Sequence, residues 1–282
     1  MNNIVIQNNQ ITNGINNINS LYNEWQLFIQ GSEKTVDTYT KAVKQFIVYL
    51  NDNGISQPTK KDIIAYRECL KATHKPTTVQ SYIMALKQFF KWTEEEQIYK
   101  NIAQNVKGAK LDTEHKKDYL TAEQCKELLK AIDRSTIQGK RDYAIISLML
   151  TSGLRTIEIS RANIEDISTI GGESVLYIQG KGHEERTQFI KLSEQVKQAI
   201  QEYVQCTMYN IGEPLFKGIG NRNEGGRLTT KTISRLVKSY LVKAGYNSDR
   251  LTVHSLRHTA ATLNLLNGVT IEETQQLLRQ QT

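Results

Sequence analysis

The chain has 282 residues, room for one large or two modest domains, and a net charge of +7 that favours a polyanionic partner. Cys69, Cys125 and Cys206 are isolated and odd in number, which excludes a disulfide framework or a zinc spacing and points to a reducing cytosol. The N-terminal residues lack the basic start and apolar run of a signal peptide, and no stretch approaches the ~20 apolar residues of a membrane span, so a soluble cytoplasmic protein is expected.

Residues 1–16 read as a flexible polar arm. Four helical patterns then fill residues 17–98. The first covers 21–29. The second, 38–50, places Tyr39, Val43, Phe46, Ile47 and Leu50 on one face. Thr59 and Asp62 form a capping signal for 60–72, and 78–92 repeats the apolar stripe with Val79, Tyr82, Ile83, Leu86, Phe89 and Phe90. Four short helices so close in sequence predict a compact bundle. Over 99–118 the periodicity lapses, and Gly108 with a charged run from Lys110 to Asp118 marks a linker.

A second domain is expected over 119–282. Thr121 and Gln124 make a capping box ahead of Cys125, Leu128, Leu129 and Ile132, and 140–150 reads as a buried helix stopped by Gly153. The persuasive strand signals are 174–179 and 186–191, joined by a hairpin connection at 180–185. Helices return at 193–204, at 230–244 with Gly245 as the stop, at 254–266 ended by Asn267-Gly268, and at 271–278 capped by Thr270 and Glu273. The fold class expected is mainly α: an N-terminal four-helix domain and a mixed helical domain carrying one small antiparallel sheet.

Within the second domain, cations occupy three special places. Arg155 follows the buried helix at a corner where Gly153 allows tight backbone approach. Lys181 sits between Gly180 and Gly182 in the hairpin connection. His254 and Arg257, three residues apart, share a helix face. A planar guanidinium donates in pairs to two phosphate oxygens, so this set suits a phosphodiester. Each residue alone has a plainer reading as a cap, a solvated lysine or a satisfied ring; the ordered combination carries the argument.

In that order, "SGLRTIEI", "GKG" and "HSLRHTAAT" resemble the tyrosine recombinase (phage integrase) family, in its two-domain, Xer-like form. The helical bundle ahead of them is similar to the family's SAM-like core-binding domain, so the resemblance covers nearly the whole chain. It implies that Arg155 and Arg257 are the catalytic arginines, Lys181 the hairpin lysine and His254 the partner of Arg257, with Glu158 buttressing the site. The implied chemistry is attack by a tyrosine hydroxyl on a phosphodiester, giving a 3′-phosphotyrosine and a free 5′-hydroxyl. The arginines would stabilise charge on the non-bridging oxygens, Lys181 would protonate the leaving oxygen, and His254 would move a proton or hydrogen-bond the phosphate. Covalent storage of the bond energy implies that no cofactor, neither ATP nor metal, is needed.

Two departures stand against this. Where the family has "LLGH", this chain reads Leu277-Leu278-Arg279-Gln280, so Gln280 takes the place of a histidine and can accept or donate a hydrogen bond but cannot supply a proton as an imidazolium does. The tyrosine expected beyond it is missing, since the last tyrosine is Tyr246. The intact upstream positions favour a chain cut short before the nucleophile over a natural cleavage-deficient relative; either way, binding without cleavage is expected of these residues.

The resemblance further implies a two-domain clamp on a double-stranded recombination site, a tetrameric synapse, and accessory DNA-bending proteins. Lys87 and Lys91, and Lys231, Arg235 and Lys238, are candidate DNA contacts, although ordinary solvated helix faces carry such charges too. The function expected is site-specific recombination, as integration or excision of a mobile element or resolution of dimers or cointegrates. The alternative is a DNA-binding relative without strand cleavage, acting as competitor or regulator.

Overall fold

The computed structural model describes residues 4–7, 10–13, 18–110, 118–180, 186–220 and 223–279. The chain divides into two units, Met1–Glu114 and His115–Thr282. Among the described residues no helix is long and apolar enough to cross a membrane.

The first unit opens with a hairpin of β1 (Ile4–Gln7) and β2 (Gln10–Asn13), paired antiparallel with Ile4 opposite Asn13. The expected flexible polar arm thus carries a paired hairpin, to which the β-branched run Ile4-Val5-Ile6 contributes by favouring extended backbone. The four expected helices follow as α1 (Ile18–Phe28), α2 (Glu33–Asp52), α3 (Lys60–Thr73) and α4 (Pro76–Glu95). Their ends follow local chemistry. The Ser32 hydroxyl accepts from the Thr35 amide to start α2, the Thr59 amide donates to Asp62 at 2.7 Å to start α3, and Pro76 takes the first position of α4. Trp25, Phe46, Phe89 and Phe90 fill the core, with Trp25 edge-on to Phe89 at 5.1 Å.

The expected linker also needs correction over its first part. Tyr99, Ile102, Ala103 and Val106 are buried in this same core, and the Tyr99 hydroxyl donates to Pro58 O at 2.9 Å. Turns rather than a helix bring these apolar side chains inward, which is why a search for helical periodicity passes over them.

The second unit is built around α6 (Ile137–Ser152), whose Ala144, Ile145, Ile146, Leu148 and Met149 are all buried. A helix apolar on every side must lie inside a core. It packs against α8 (Glu194–Val204) and α10 (Val253–Leu266). The rest of the helical frame is α5 (Ala122–Lys130), α7 (Thr156–Arg161), α9 (Thr230–Lys243) and α11 (Ile271–Leu278). The capping boxes expected at α5 and α11 are present: Thr121 and Gln124 exchange bonds of 2.9 and 3.2 Å, and Thr270 and Glu273 bonds of 3.0 and 3.2 Å.

The sheet has three strands, in the antiparallel order β3 (Ile167–Ile170), β4 (Glu173–Ile178) and β5 (Gln188–Lys191). The two strand signals in the sequence correspond to β4 and β5. The third, β3, went unanticipated although Gly171-Gly172, both at positive φ, make the two-residue turn that joins it to β4.

Gly153 ends α6 in the left-handed conformation, with φ +60°. A side chain there would meet Leu278 Cδ2 at 2.6 Å. Gly153→Ala combines left-handed strain with that clash and is expected to destabilise the protein by about 2 kcal/mol, lowering its melting temperature by roughly 5 °C in a calorimetric scan.

Candidate active site

Three segments far apart in sequence converge where α6 ends. The first is the corner between α6 and α7. Leu154 is fully buried there, which anchors the turn, and Arg155 caps the start of α7. One turn later, Glu158 is 1% exposed. The Arg155 amide donates to Glu158 Oε2 at 2.7 Å, and Arg155 Nη1 donates to Glu158 Oε1 at 3.0 Å. One carboxylate therefore fixes both the backbone and the side chain of Arg155.

The second segment is α10. Arg257 Nη1 donates to Gly153 O at 2.6 Å, and Arg257 Nη2 donates to Leu278 O. Its guanidinium thus ties the α6 cap to the end of α11. His254 lies one helical turn before Arg257 on α10 and is exposed.

The third segment is the residue after α11. Arg279 adopts φ +51°, an uncommon left-handed conformation for a residue with a side chain. Its Nη1 donates to Leu277 O at 2.8 Å and its Nη2 to Glu158 Oε2 at 3.2 Å, with the side chain only 9% exposed. Arg155 and Arg279 therefore bond the single carboxylate of Glu158, and Arg257 lies near enough to feel its charge. Burial pulls the Arg257 guanidinium down to about 10, aided by the nearby Arg155 and Arg279 charges and only partly offset by Glu158. Burial likewise lowers Arg279. A desolvated group of like charges with one counter-charge is an environment that an anion relieves.

Arg155, Glu158 and Arg257, picked out from sequence, are thus brought together. Lys181 and Gln280 lie outside the described residues. Both ends of the connection that carries Lys181 are nevertheless anchored to α7. Arg161 Nη1 donates to Gly180 O at 3.0 Å, and Arg186 Nη2 donates to Arg161 O at 3.2 Å while its Nη1 pairs with Asp166 at 3.1 Å. Arg227 adds bonds to Ser160 O and Ala162 O at 2.8 and 3.3 Å. Sequence reasoning missed Arg161, Arg186, Arg227 and Arg279. Only Arg279 had a signal, because it replaces the glycine of the expected "LLGH".

The other basic candidates are dispersed. Lys87 is half-buried on α4, and Lys91, exposed, pairs with Glu95 at 3.6 Å. On α9, Lys231 and Arg235 are exposed, whereas the Lys238 ammonium donates to Ser248 O at 2.7 Å and so tethers the connection to α10. Among the described residues no group of three His, Cys, Asp or Glu side chains could hold a metal ion.

The phage integrase family model matches residues 118–279, and the model of the phage integrase N-terminal SAM-like domain matches residues 10–100. The chain belongs to the phage integrase family. It is 34% identical over 222 residues to the tyrosine recombinase XerC of Caldanaerobacter subterraneus, an alignment covering 77% of this chain and 60% of that protein. The match therefore spans less than two thirds of that relative's own length. The fold is shared with a XerH site-specific recombinase bound to a palindromic difH substrate, at a TM-score of 0.72 and 20% identity over 88% of this chain and 73% of that one. It is shared as well with a lambda integrase tetramer bound to a Holliday junction, at 0.69 and 18% identity over 94% and 74%.

Removing the counter-charge tests the cluster. Glu158→Gln leaves the three guanidiniums without a carboxylate, and urea unfolding is expected to show a loss of about 2–3 kcal/mol. Added phosphate should restore part of that stability, because an anion that binds only the folded form shifts the equilibrium toward it.

Proposed function

We propose that this chain is a site-specific DNA recombinase, with the cluster around Arg155 and Arg257 receiving the scissile phosphodiester of a double-stranded target. The observation that carries this reading is the imbalance of charge at the corner of α6 and α7: two guanidiniums bonded to one buried carboxylate, with a third, Arg257, fixed beside them by main-chain carbonyls. Donors fixed in advance cost no reorganisation when charge builds on the non-bridging oxygens, so they favour the transition state over the bound substrate.

In this reading His254 hydrogen-bonds the phosphate or moves a proton, Lys181 protonates the leaving 5′-oxygen, and Gln280 offers a hydrogen bond where an imidazole would act as an acid. Residues 17–98 serve as the core-binding domain and 119–282 as the catalytic domain. Lys87, Lys91, Lys231 and Arg235 supply phosphate contacts, which set position and affinity rather than sequence. The likeness to DNA-bound recombinases supports a duplex recombination site as partner and a tetramer as the working assembly.

A second reading, binding without cleavage by these residues, draws on the tyrosines. In the second unit the Tyr209 hydroxyl donates to Leu215 O, Tyr240 to Asp142 and Tyr246 to Glu127, while Tyr203 accepts from the Lys217 amide. Burial and the Asp142 carboxylate push the Tyr240 phenol up to about 12, and the bond to Glu127 does the same for Tyr246. The Tyr240 and Tyr246 phenols are held in their protonated form, the reverse of what a nucleophile needs. We assign none of these four as the attacking residue.

A nicked suicide duplex, built on a site selected by the protein from a random pool, separates the two readings. Under the first reading the protein forms a denaturant-resistant adduct with that duplex; under the second it retains the duplex and forms none. Under the first reading, Arg155→Ala or Arg257→Ala should cut adduct formation by about 10²–10³-fold, with DNA affinity kept within about tenfold. Undiminished adduct formation in either variant would overturn the assignment of the site.

A further inference from the structure

We propose that Arg279 is a positioning residue of the phosphate site, sharing the Glu158 carboxylate with Arg155 so that Arg155 keeps a free positive charge for the phosphodiester. This rests on the reading of the Arg155/Arg257 cluster as a phosphate site. Arg279 does not act as a direct DNA contact: its side chain is nine-tenths buried, and both terminal nitrogens are already committed, one to Leu277 O and one to Glu158 Oε2.

The geometry shows the division of labour. Glu158 Oε1 takes Arg155 Nη1, while Oε2 takes both the Arg155 amide and Arg279 Nη2. Without Arg279, Glu158 would be bonded to Arg155 alone and offset more of its charge. With Arg279 the carboxylate is divided between two cations, and the cluster keeps an excess of positive charge in a place poor in water. The arrangement is held at a cost. Arg279 stands at a positive φ, and its buried Nε has no hydrogen-bond partner among the described residues. A non-glycine residue in that conformation persists where its surroundings hold it there, and here those surroundings are Glu158 and the end of α11. Arg257 completes the link, because it donates to Leu278 O, the carbonyl directly before Arg279.

The experiment follows the arginine side-chain N–H signals of the 282-residue protein by ¹⁵N NMR during titration with inorganic phosphate. In the parent protein, phosphate is expected to shift the signals of Arg155 and Arg257. Arg279→Gly removes the guanidinium and suits a backbone at positive φ, so the fold should survive. It is expected to bind phosphate about tenfold more weakly, from the loss of one nearby charge, and to lose the ordered Arg155 signal. Arg279→Lys, which keeps the charge but not the fork, should recover part of the affinity without restoring the Arg155 signal. If Arg279→Gly titrates like the parent, with Arg155 unchanged, the positioning role is overturned while the phosphate site stands. If the parent shows no response at Arg155 or Arg257, the phosphate site itself fails and this role fails with it. Should Arg279→Gly not fold, the parent decides: an Arg279 signal that shifts in step with Arg155 supports the role, and one that ignores phosphate overturns it.

Discussion

Glu158 carries one negative charge in a place where three guanidiniums meet, and being almost fully buried it cannot share that task with water. A carboxylate alone in such a place would be costly, and so would three clustered cations; together they leave a residue of positive charge that the fold must restrain. Much of the second unit contributes to that restraint. The buried helix α6 ends at Gly153, the corner is pinned by Leu154, and α10 and α11 deliver Arg257 and Arg279 from more than a hundred residues away.

The site is therefore a property of helix ends. Arg155 caps α7, the Gly153 carbonyl that accepts from Arg257 closes α6, and Arg279 stands just beyond α11. Helix ends leave main-chain groups without partners, so charged side chains brought there do double duty, completing the backbone's bonding and setting the local potential. The two ends of the connection bearing Lys181 are tied to α7 by the same means, through Arg161 and Arg186. One short helix thus holds the Arg155 corner at its start and the base of the lysine connection at its end.

What could be seen in the sequence was what depends on neighbours three or four residues apart. The capping boxes at Thr59, Thr121 and Thr270 are local chemistry, and each starts a helix where the residue pattern says it should. The Arg155–Glu158 pair is of the same kind. The core residues of 99–106 and the strand β3 were missed because neither has helical periodicity; the first is carried on turns, the second is a short strand with three of four residues exposed. Arg279 was noticed only as a departure from a motif. Its partner Glu158 lies 121 positions earlier, a distance at which a single sequence gives no signal.

Most of the arginines around the site have one thing in common: their acceptors are largely carbonyl oxygens of the main chain. Arg257 is bound to those of Gly153 and Leu278, Arg161 to that of Gly180, Arg186 to that of Arg161, and Arg227 to those of Ser160 and Ala162. A main-chain oxygen is present whatever residue occupies the position, so no replacement of a partner's side chain can delete the bond. The framework around the site is buffered against drift on the accepting side, and its sensitivity to substitution is concentrated in the donors.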